Sequence, residues 1–240
     1  MLKLNRLLFS VFFILTNTAS VSYSFEFIGT AYSKDGQRIL YLEEHRYLTP
    51  YNHRVEYKEA DGRVFAEKRI NYQNSYIAPE VRQLNRRNGE LIETKKLGEM
   101  IQVLYRENDV KKPLENRVDM SDSLVIDAGF DHYIRLNWEV LVSGEKKIIR
   151  YLLPSLQKTI DLSIQTMECE PFLLTNLVLD TLICWRIAAE NWMIRILIDP
   201  LFLVYERSSQ RIMKFVGRSN ICDEYGDYED VIIRYQYNSN

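Results

Sequence analysis

The stretch Asp127-Ala-Gly-Phe-Asp-His-Tyr-Ile-Arg-Leu-Asn-Trp-Glu-Val-Leu-Val-Ser-Gly144 has the clearest helical pattern in a chain whose other segments have the pattern of β-strands. Its apolar residues recur at the i, i+4, i+8 and i+11 spacing of one buried helix face. That face consists of Phe130, Ile134, Trp138 and Leu141, with Leu136 and Val140 widening it. Asp127 can accept hydrogen bonds from the free amides of the first turn, and Gly144 suits the left-handed end of a helix. We therefore predict one amphipathic helix over residues 128–143.

Three hairpin signals precede this helix. Asp35-Gly36, Asp61-Gly62 and Asn88-Gly89 each lie between two segments that have strand composition. Such dipeptides favour tight hairpin turns, because a type I′ turn needs a positive φ at both central residues. The sequence therefore predicts an antiparallel meander over residues 25–107, followed by a polar surface crossing over residues 107–123.

Strands are also predicted after the helix. Their segments are 146–153, 158–167, 192–198, 201–207, 211–216 and 231–237. The segment 172–189 is compatible with either a buried strand or a short helix, and its periodicity does not decide between them.

The number of strands determines the expected architecture. A sheet of about a dozen antiparallel strands does not stay flat, because strand twist accumulates across it. The concave side of such a sheet must be filled, and the amphipathic helix can fill it. The predicted fold class is mainly β (α+β): a strongly curved antiparallel sheet, or open barrel, wrapped around the helix at 128–143. Residues 25–240 are expected to form a single exported domain, since a chain of this length can bury one substantial core.

The first 24 residues have the composition of a signal peptide. Lys3 and Arg6 form a basic segment, the apolar run 7–15 follows, and the small residues Ser22 and Ser24 permit cleavage before Phe25. The apolar run is shorter than the ~20 residues that a membrane-spanning helix needs, although an uncleaved membrane anchor is the alternative. We therefore expect an exported, periplasmic, soluble protein with a signal peptide at 1–24 and no transmembrane span in the mature chain.

The charge of the mature chain argues against one class of partner. Removal of residues 1–24 leaves 29 Lys and Arg residues (31 minus Lys3 and Arg6) against 33 Asp and Glu residues, a formal net charge of −4. A chain without net positive charge, bound for export, is not expected to bind nucleic acid.

The three cysteines allow two interpretations. A Cys169–Cys184 bridge would close a short loop and add ~3 kcal/mol to stability in an oxidising compartment. The alternative, which we favour from sequence, is that Cys169, Cys184 and Cys222 are all small buried apolar residues.

Two stretches in the second half of the chain carry a family resemblance. The first is Val125-Ile-Asp-Ala-Gly-Phe-Asp-His-Tyr-Ile-Arg-Leu-Asn-Trp138, followed by Gly144 and Leu152-Leu-Pro-Ser155. The second includes Ile198-Asp-Pro200 and Phe215-Val-Gly-Arg-Ser-Asn-Ile221, and ends in the Tyr-rich last strand. In these residues the chain resembles an uncharacterised family of exported bacterial proteins of unknown function. The resemblance implies a periplasmic location and carries no activity.

A more distant similarity concerns architecture alone. The predicted fold is similar to the half-barrels of periplasmic lipoprotein carriers, which hold acyl chains between a curved sheet and helices. No sequence motif supports this similarity, so it is an analogy at the level of the fold.

The sequence contains none of the common catalytic signatures. A nucleophile elbow, a zinc-protease helix motif, a phosphate-binding loop and a dinucleotide fingerprint are all absent. His45 and His53, with Glu43 beside them, could ligate zinc on paired strands, but exposed strand histidines are the interpretation we favour. We therefore expect no catalytic residue, no metal and no cofactor.

Two groups of residues are candidates for binding a ligand. In the helix the candidates are Arg135, Asn137 and Trp138: Trp138 could form an apolar wall and Arg135 could anchor a carboxylate or phosphate. The structural alternative is that Trp138 belongs to the core and that Arg135 pairs with Asp131 or Glu139. Between two strands, Ser219 and Asn220 could face a ligand, or could instead hold a turn.

The sequence alone thus predicts a non-catalytic periplasmic protein. We expect it to bind or carry an apolar or amphipathic ligand, such as a lipid, between the curved sheet and the helix. The alternative is a structural or interaction protein of the bacterial envelope, with a filled core and an envelope protein as partner. An enzyme with an unfamiliar site ranks last, because no convergent set of polar groups is evident.

Overall fold

The computed structural model describes residues 26–174, 181–197 and 199–238. The predicted signal peptide at 1–24 lies outside the described residues. Among the residues described, no helix is long and apolar enough to cross a membrane.

Fifteen strands form one sheet in the described part of the chain. They are β1 (Phe27–Ser33), β2 (Ile39–Thr49), β3 (Asn52–Lys58), β4 (Val64–Asn71), β5 (Glu80–Asn85), β6 (Leu91–Leu97), β7 (Met100–Arg106), β8 (Leu114–Asp119), β9 (Leu124–Val125), β10 (Lys147–Leu153), β11 (Lys158–Met167), β12 (Leu182–Ala189), β13 (Leu201–Glu206), β14 (Ile212–Arg218) and β15 (Asp230–Tyr237). The helices are α1 (Gly129–Leu136), α2 (Trp138–Val142), α3 (Pro171–Leu174) and α4 (Trp192–Leu197), with a 3₁₀ turn at Pro154–Leu156. The prediction of a mainly β fold with an antiparallel sheet is confirmed.

The order of the strands shows how the chain builds this sheet. Across the sheet the order is β8-β7-β6-β5-β4-β3-β2-β1-β15-β14-β13-β12-β11-β10-β9. Every neighbouring pair is antiparallel except β9 with β10, which is parallel. The sheet therefore consists of two meanders joined at its centre by the pair β1–β15, in which Phe27 lies opposite Tyr237.

The two edges of the sheet must lie close together. β8 ends at Asp119 and β9 begins at Leu124, so a link of four residues joins the two edge strands. Five peptide steps span at most ~17 Å, whereas a flat sheet of this size would be ~65 Å wide. The sheet must therefore curve strongly. In agreement with this, the side-chain amide of Asn116 in β8 donates to the carbonyl of Gln157, beyond β10, at 3.1 Å. The sheet nevertheless stays open, since β8 and β9 are not paired with each other in the described chain.

The three hairpin turns lie where the sequence predicts them. Gly36, Gly62 and Gly89 have φ values of +73°, +88° and +85°, in the left-handed region that glycine tolerates best. Each turn connects consecutive antiparallel strands, so the meander predicted over residues 25–107 is confirmed.

Two segments differ from their predicted structure. The predicted surface crossing at 107–123 contains β8, whose residues are exposed on both faces except for half-buried Val118. A strand that buries neither face lacks the alternating pattern from which strands are predicted. Residues 192–197 form α4 where a strand was expected, and the ambiguous segment 172–189 contains both the end of α3 and β12.

The helical stretch is divided into two short helices. α1 and α2 are separated at Asn137, which has φ −106° and ψ 19° and whose side-chain amide donates to the carbonyl of Tyr133. Ile134, Trp138 and Leu141 are buried as predicted, and Gly144 (φ +93°) follows the end of α2.

Two features of the predicted helix are wrong. Leu136 is 77% exposed and Val140 is 37% exposed, so neither widens the buried face. Helical spacing accounts for this exposure: at about 100° per residue, Leu136 and Val140 lie roughly 160° and 120° away from the centre of the face formed by Phe130, Ile134, Trp138 and Leu141. Asp127 is not the N-cap, because it has φ +46° and the cap position is Ala128.

One face of the sheet, which we call the inner face, carries the core. The strand register places Ala31, Ile233, Phe215, Leu203 and Trp185 directly opposite one another on five neighbouring strands. The apolar cluster of the N-terminal meander and that of the C-terminal meander therefore share this face. Residues of α1 and α2 belong to the second cluster, while Leu124, Ile126 and Ile221 belong to the first.

Cys169 and Cys184 form a disulfide bond. The favoured interpretation of three unpaired cysteines is therefore wrong for these two, whereas Cys222 is free and buried. Cys184 lies on the outer face of β12 with Val204, and Leu173 of α3 packs on this pair. The disulfide links Cys169, which follows β11, to Cys184 in β12.

We predict that the disulfide stabilises the folded chain mainly by restricting the unfolded one. Its sequence separation is 15 residues, which on the chain-entropy model corresponds to ~3 kcal/mol. Replacement of both Cys169 and Cys184 by alanine should lower the free energy of unfolding in urea by about this amount. A reductant should produce a similar loss in the native protein and no further loss in the variant. Equal stability of the oxidised and reduced native protein would contradict the prediction.

Candidate functional site

A cluster of tyrosines surrounds an ion pair where α1 meets the sheet. Arg135 Nη2 lies 2.5 Å from Asp131 Oδ2, one helical turn apart. Tyr205, from β13, donates its hydroxyl proton to Asp131 Oδ1 at 2.8 Å. Tyr47 and Tyr237 complete the group, which we call the tyrosine cluster (Tyr47, Asp131, Arg135, Tyr205 and Tyr237). The ion pair is about one-third exposed, so it lies at the edge of the core and can be reached from solvent.

The electrostatics of the tyrosine cluster keep its hydroxyl groups protonated. Burial, and then the Asp131 carboxylate, raise the pKa of Tyr47 to about 12, and Arg135 opposes part of this shift. The same two causes raise the pKa values of Tyr205 and Tyr237. At neutral pH the cluster thus presents phenol hydroxyls around one cation and one carboxylate.

Trp138 lies beneath this cluster and is 5% exposed. Its ring packs edge to face on Trp185 (5.6 Å between centroids) and Tyr205 (5.8 Å). Aromatic pairs in this arrangement stabilise a core by ~1 kcal/mol beyond the area they bury. Of the sequence-predicted site residues, Arg135 therefore lies in the tyrosine cluster, Trp138 lies in the core below it, and Asn137 breaks the helix between them.

Ser219 and Asn220 lie elsewhere, in a loop that crosses the inner face of the first meander. Ser219 is buried and its hydroxyl bonds within the loop to the backbone of Ile221. The carbonyl of Asn220 accepts from Gln83 Nε2 at 2.9 Å, and its side chain accepts from the hydroxyl of Tyr57 at 3.4 Å. The structure thus does not bring these two residues together with Arg135, Asn137 and Trp138.

A buried chain of titratable groups adjoins the tyrosine cluster. Glu43 Oε2 lies 3.3 Å from His45 Nε2, and His45 Nδ1 lies 3.2 Å from His53 Nε2. Phe27 stacks on His45 and Tyr47 stacks on His53, so Tyr47 joins this histidine chain to the tyrosine cluster. The expectation of exposed strand histidines is wrong: His53 is 5% exposed and the side chain of His45 is 12% exposed.

The histidine chain does not assemble a full metal site. Within the described residues, no group of three or more His, Cys, Asp and Glu side chains is placed to hold a metal ion. The two imidazoles face each other, and Glu43 orients the outer nitrogen of His45. Two surface grooves lie away from both clusters, one beside the disulfide and one beside Arg86 and Arg87.

An ion pair in the core was missed by sequence analysis. Lys68 on β4 is 2% exposed, and its ammonium group lies 2.7 and 2.9 Å from the two carboxylate oxygens of Asp127. The alternation of β4 places Lys68 on the same face as Ala66 and Ile70, both buried, so the pattern contained this information. The pair fixes the start of the helical stretch to the first meander.

Sequence comparisons provide no further assignment. No protein-family model and no curated protein sequence matches this chain. The resemblance to an uncharacterised exported family therefore remains a prediction.

We predict that His53 makes the protein sensitive to acid. Burial, and next the neighbouring His45, lower the pKa of His53 from 6.5 to about 2. The folded chain thus binds fewer protons at His53 than the unfolded chain, and stability is lost as the pH falls below 6.5. Between pH 7 and pH 5 the native protein should lose about 2 kcal/mol more unfolding free energy than the His53→Phe variant.

The control for this measurement is Tyr47→Phe. It alters the ring stacked on His53 but removes no group that titrates between pH 5 and pH 7, so its pH profile should follow that of the native protein. Parallel profiles for the native protein and His53→Phe would show that His53 is not the group responsible.

We also predict a large effect of Asp127→Asn. Asparagine tolerates the left-handed backbone of residue 127, so the substitution mainly removes the charge that compensates buried Lys68. Loss of one partner of a buried pair costs ~3 kcal/mol, measurable by urea unfolding. The double variant Lys68→Met, Asp127→Asn should recover most of this loss. A double variant that is less stable than Asp127→Asn would exclude an uncompensated charge as the cause.

Proposed function

We propose that this chain is a non-catalytic exported protein that binds an apolar or amphipathic ligand between its curved sheet and the helical segment 129–142. In this proposal the sheet wraps around the helical segment, and the ligand occupies the interface between them. The observation that supports it is the aromatic surface at α2, where Trp138 packs on Trp185 and on Tyr205, which itself belongs to the tyrosine cluster. Rings beside one cation and several hydroxyls suit a molecule that has an apolar body and a polar head.

Binding requires the helical segment to move. Trp185 and Tyr205 occupy the space beside Trp138, so a ligand enters only when α1 and α2 separate from the sheet. The segment is bounded by Asp127 and Gly144, both with positive φ, and is interrupted at Asn137. These three positions are where the backbone can change direction without breaking a long helix.

A second candidate function is supported by the outer surface of the same segment. Leu136 and Val140 lie one turn apart and are both exposed, and Leu48, Tyr51 and Tyr76 are exposed apolar residues of the N-terminal meander. Exposed apolar side chains of this kind suit contact with another envelope protein. With this second function, α1 and α2 would stay packed on the sheet and no ligand would enter between them.

Native mass spectrometry of the purified protein tests the first proposal. We expect a lipid or other amphiphile to remain bound in a fixed ratio, to be recovered by organic extraction, and to be lost in Trp138→Arg. Leu136→Arg is the matched control, because it adds the same charge to the same segment at an exposed position. Circular dichroism must show that Trp138→Arg is folded; if it is not, Trp138→Phe should give at least a fivefold weaker retention.

The same preparation separates the two candidates. An unliganded mass that is unchanged by incubation with envelope lipids would exclude the binding proposal. Capture of one envelope protein by the native chain, abolished by Leu136→Arg and not by Trp138→Phe, would support the second candidate.

A further inference from the structure

The exposed edge of the sheet at β8 has an unusual combination of features. All its residues are exposed except half-buried Val118, and its far side pairs with no other strand of the described chain. Such an edge offers unpaired backbone N–H and C=O groups, which proteins usually protect by charges, proline or a covering segment. We propose that β8 pairs antiparallel with β8 of a second copy of this chain, across a two-fold axis at Asn116.

The register of β8 determines which backbone groups are free. The amide of Met120, the next residue, donates to the carbonyl of Glu99 across the β7–β8 pair. Because hydrogen-bonding direction alternates along a strand, the backbone groups of residues 114, 116 and 118 also point toward β7. The backbone groups of Glu115, Arg117 and Asp119 therefore point outward, to the free edge.

This alternation restricts how two copies of β8 can pair. Outward-pointing residues must lie opposite outward-pointing residues, so the two-fold axis has to pass through a residue and not between two residues. An axis at Glu115 would place Glu115 opposite its own copy. An axis at Arg117 would place Arg117 opposite its own copy and Glu115 opposite Asp119. Like charges directly opposite each other destabilise a strand pair, so both registers are disfavoured.

An axis at Asn116 gives a complementary pair. Glu115 then lies opposite Arg117 of the second copy, and Leu114 lies opposite its Val118. The two-fold axis produces each of these contacts twice. Both ion pairs lie on one face of the new strand pair, and both apolar contacts lie on the other face. The outward groups supply roughly six backbone hydrogen bonds, and the pairing ends at Pro113, which has no N–H to donate.

Apart from Asn116 on the axis, whose side-chain amide donates to the carbonyl of Gln157 in the same chain, the side chains concerned are available for this contact. Within the described part of the chain, Glu115 accepts one hydrogen bond, from Gln102, and Arg117 takes part in no ion pair. Leu114 is 57% exposed, so its side chain is free to pack against Val118 of a second copy. The basic residues Lys111 and Lys112 precede β8, so the antiparallel arrangement brings them beside Asp119 of the second copy.

The opposite edge of the sheet explains why the assembly would stop at two copies. β9 has only two residues and pairs parallel with β10. Its free edge is therefore too short for the antiparallel strand pairing that β8 makes. An interface that pairs one edge with its own copy is closed by its two-fold axis and leaves no further edge to extend.

Sedimentation velocity over a concentration series tests the proposal. We expect a reversible monomer–dimer equilibrium for the native protein. Arg117→Glu places like charges opposite each other at two symmetric positions and should raise the dimer dissociation constant at least ~10-fold, as should Glu115→Arg. The double variant Glu115→Arg, Arg117→Glu restores opposite charges with their signs exchanged, and it should dimerise within about threefold of the native protein.

A control variant tests whether dimerisation responds to a charge reversal at the β8 edge alone or to a charge reversal elsewhere on the sheet. Lys95→Glu reverses a charge at an exposed position of β6, two strands from the edge, and should leave the dissociation constant unchanged. Thermal unfolding of each variant checks that folding is intact. A native protein that remains monomeric at millimolar concentration would overturn the proposal. So would a dimer that the single charge reversals do not weaken, or one that the double variant fails to restore.

Discussion

A link of four residues constrains the whole architecture, because residues 120–123 connect the two edge strands of a fifteen-stranded sheet. The edges can only be this close if the sheet curves, and a curved sheet has one face that must be filled. The inner face is therefore lined by a continuous row of apolar side chains, and the segments between strands cover it. The helices at 129–142 cover the second meander, and the 219–222 loop covers part of the first.

The filled interior contains more polar groups than such a core usually tolerates. Glu43, Lys68 and His53 are each at most 5% exposed. Each has a partner: Glu43 contacts His45, Nε2 of His53 contacts His45, and Lys68 contacts Asp127. These pairs are directional, so they fix how the helical stretch and the strands fit together, in a way that apolar contacts alone would not.

The features that the sequence predicts are those that depend on neighbouring residues. The hairpins follow from Asp-Gly and Asn-Gly dipeptides, and the burial of Ile134 and Trp138 follows from helical spacing. The strand β8 was missed because it buries neither face. The exposure of Leu136 was misjudged, since helical spacing places Leu136 on the side opposite buried Ile134. The Cys169–Cys184 bond and the histidine chain depend on which strands are neighbours. Of the candidate site, the sequence identified Arg135 and Trp138, but not the tyrosines that surround them, which come from β2, β13 and β15.

The pairing of β1 with β15 has a consequence for the synthesis of the protein. These strands lie at the centre of the sheet, yet about 200 residues separate them along the chain. Among the described strands, β1 emerges first during translation, and its partner β15 emerges last. Each meander can form its hairpins early, but the inner edges of both remain unpaired until β15 is made. Completion of the sheet thus waits for β15, and until then the unpaired strands can be bound by a chaperone or can pair with another chain.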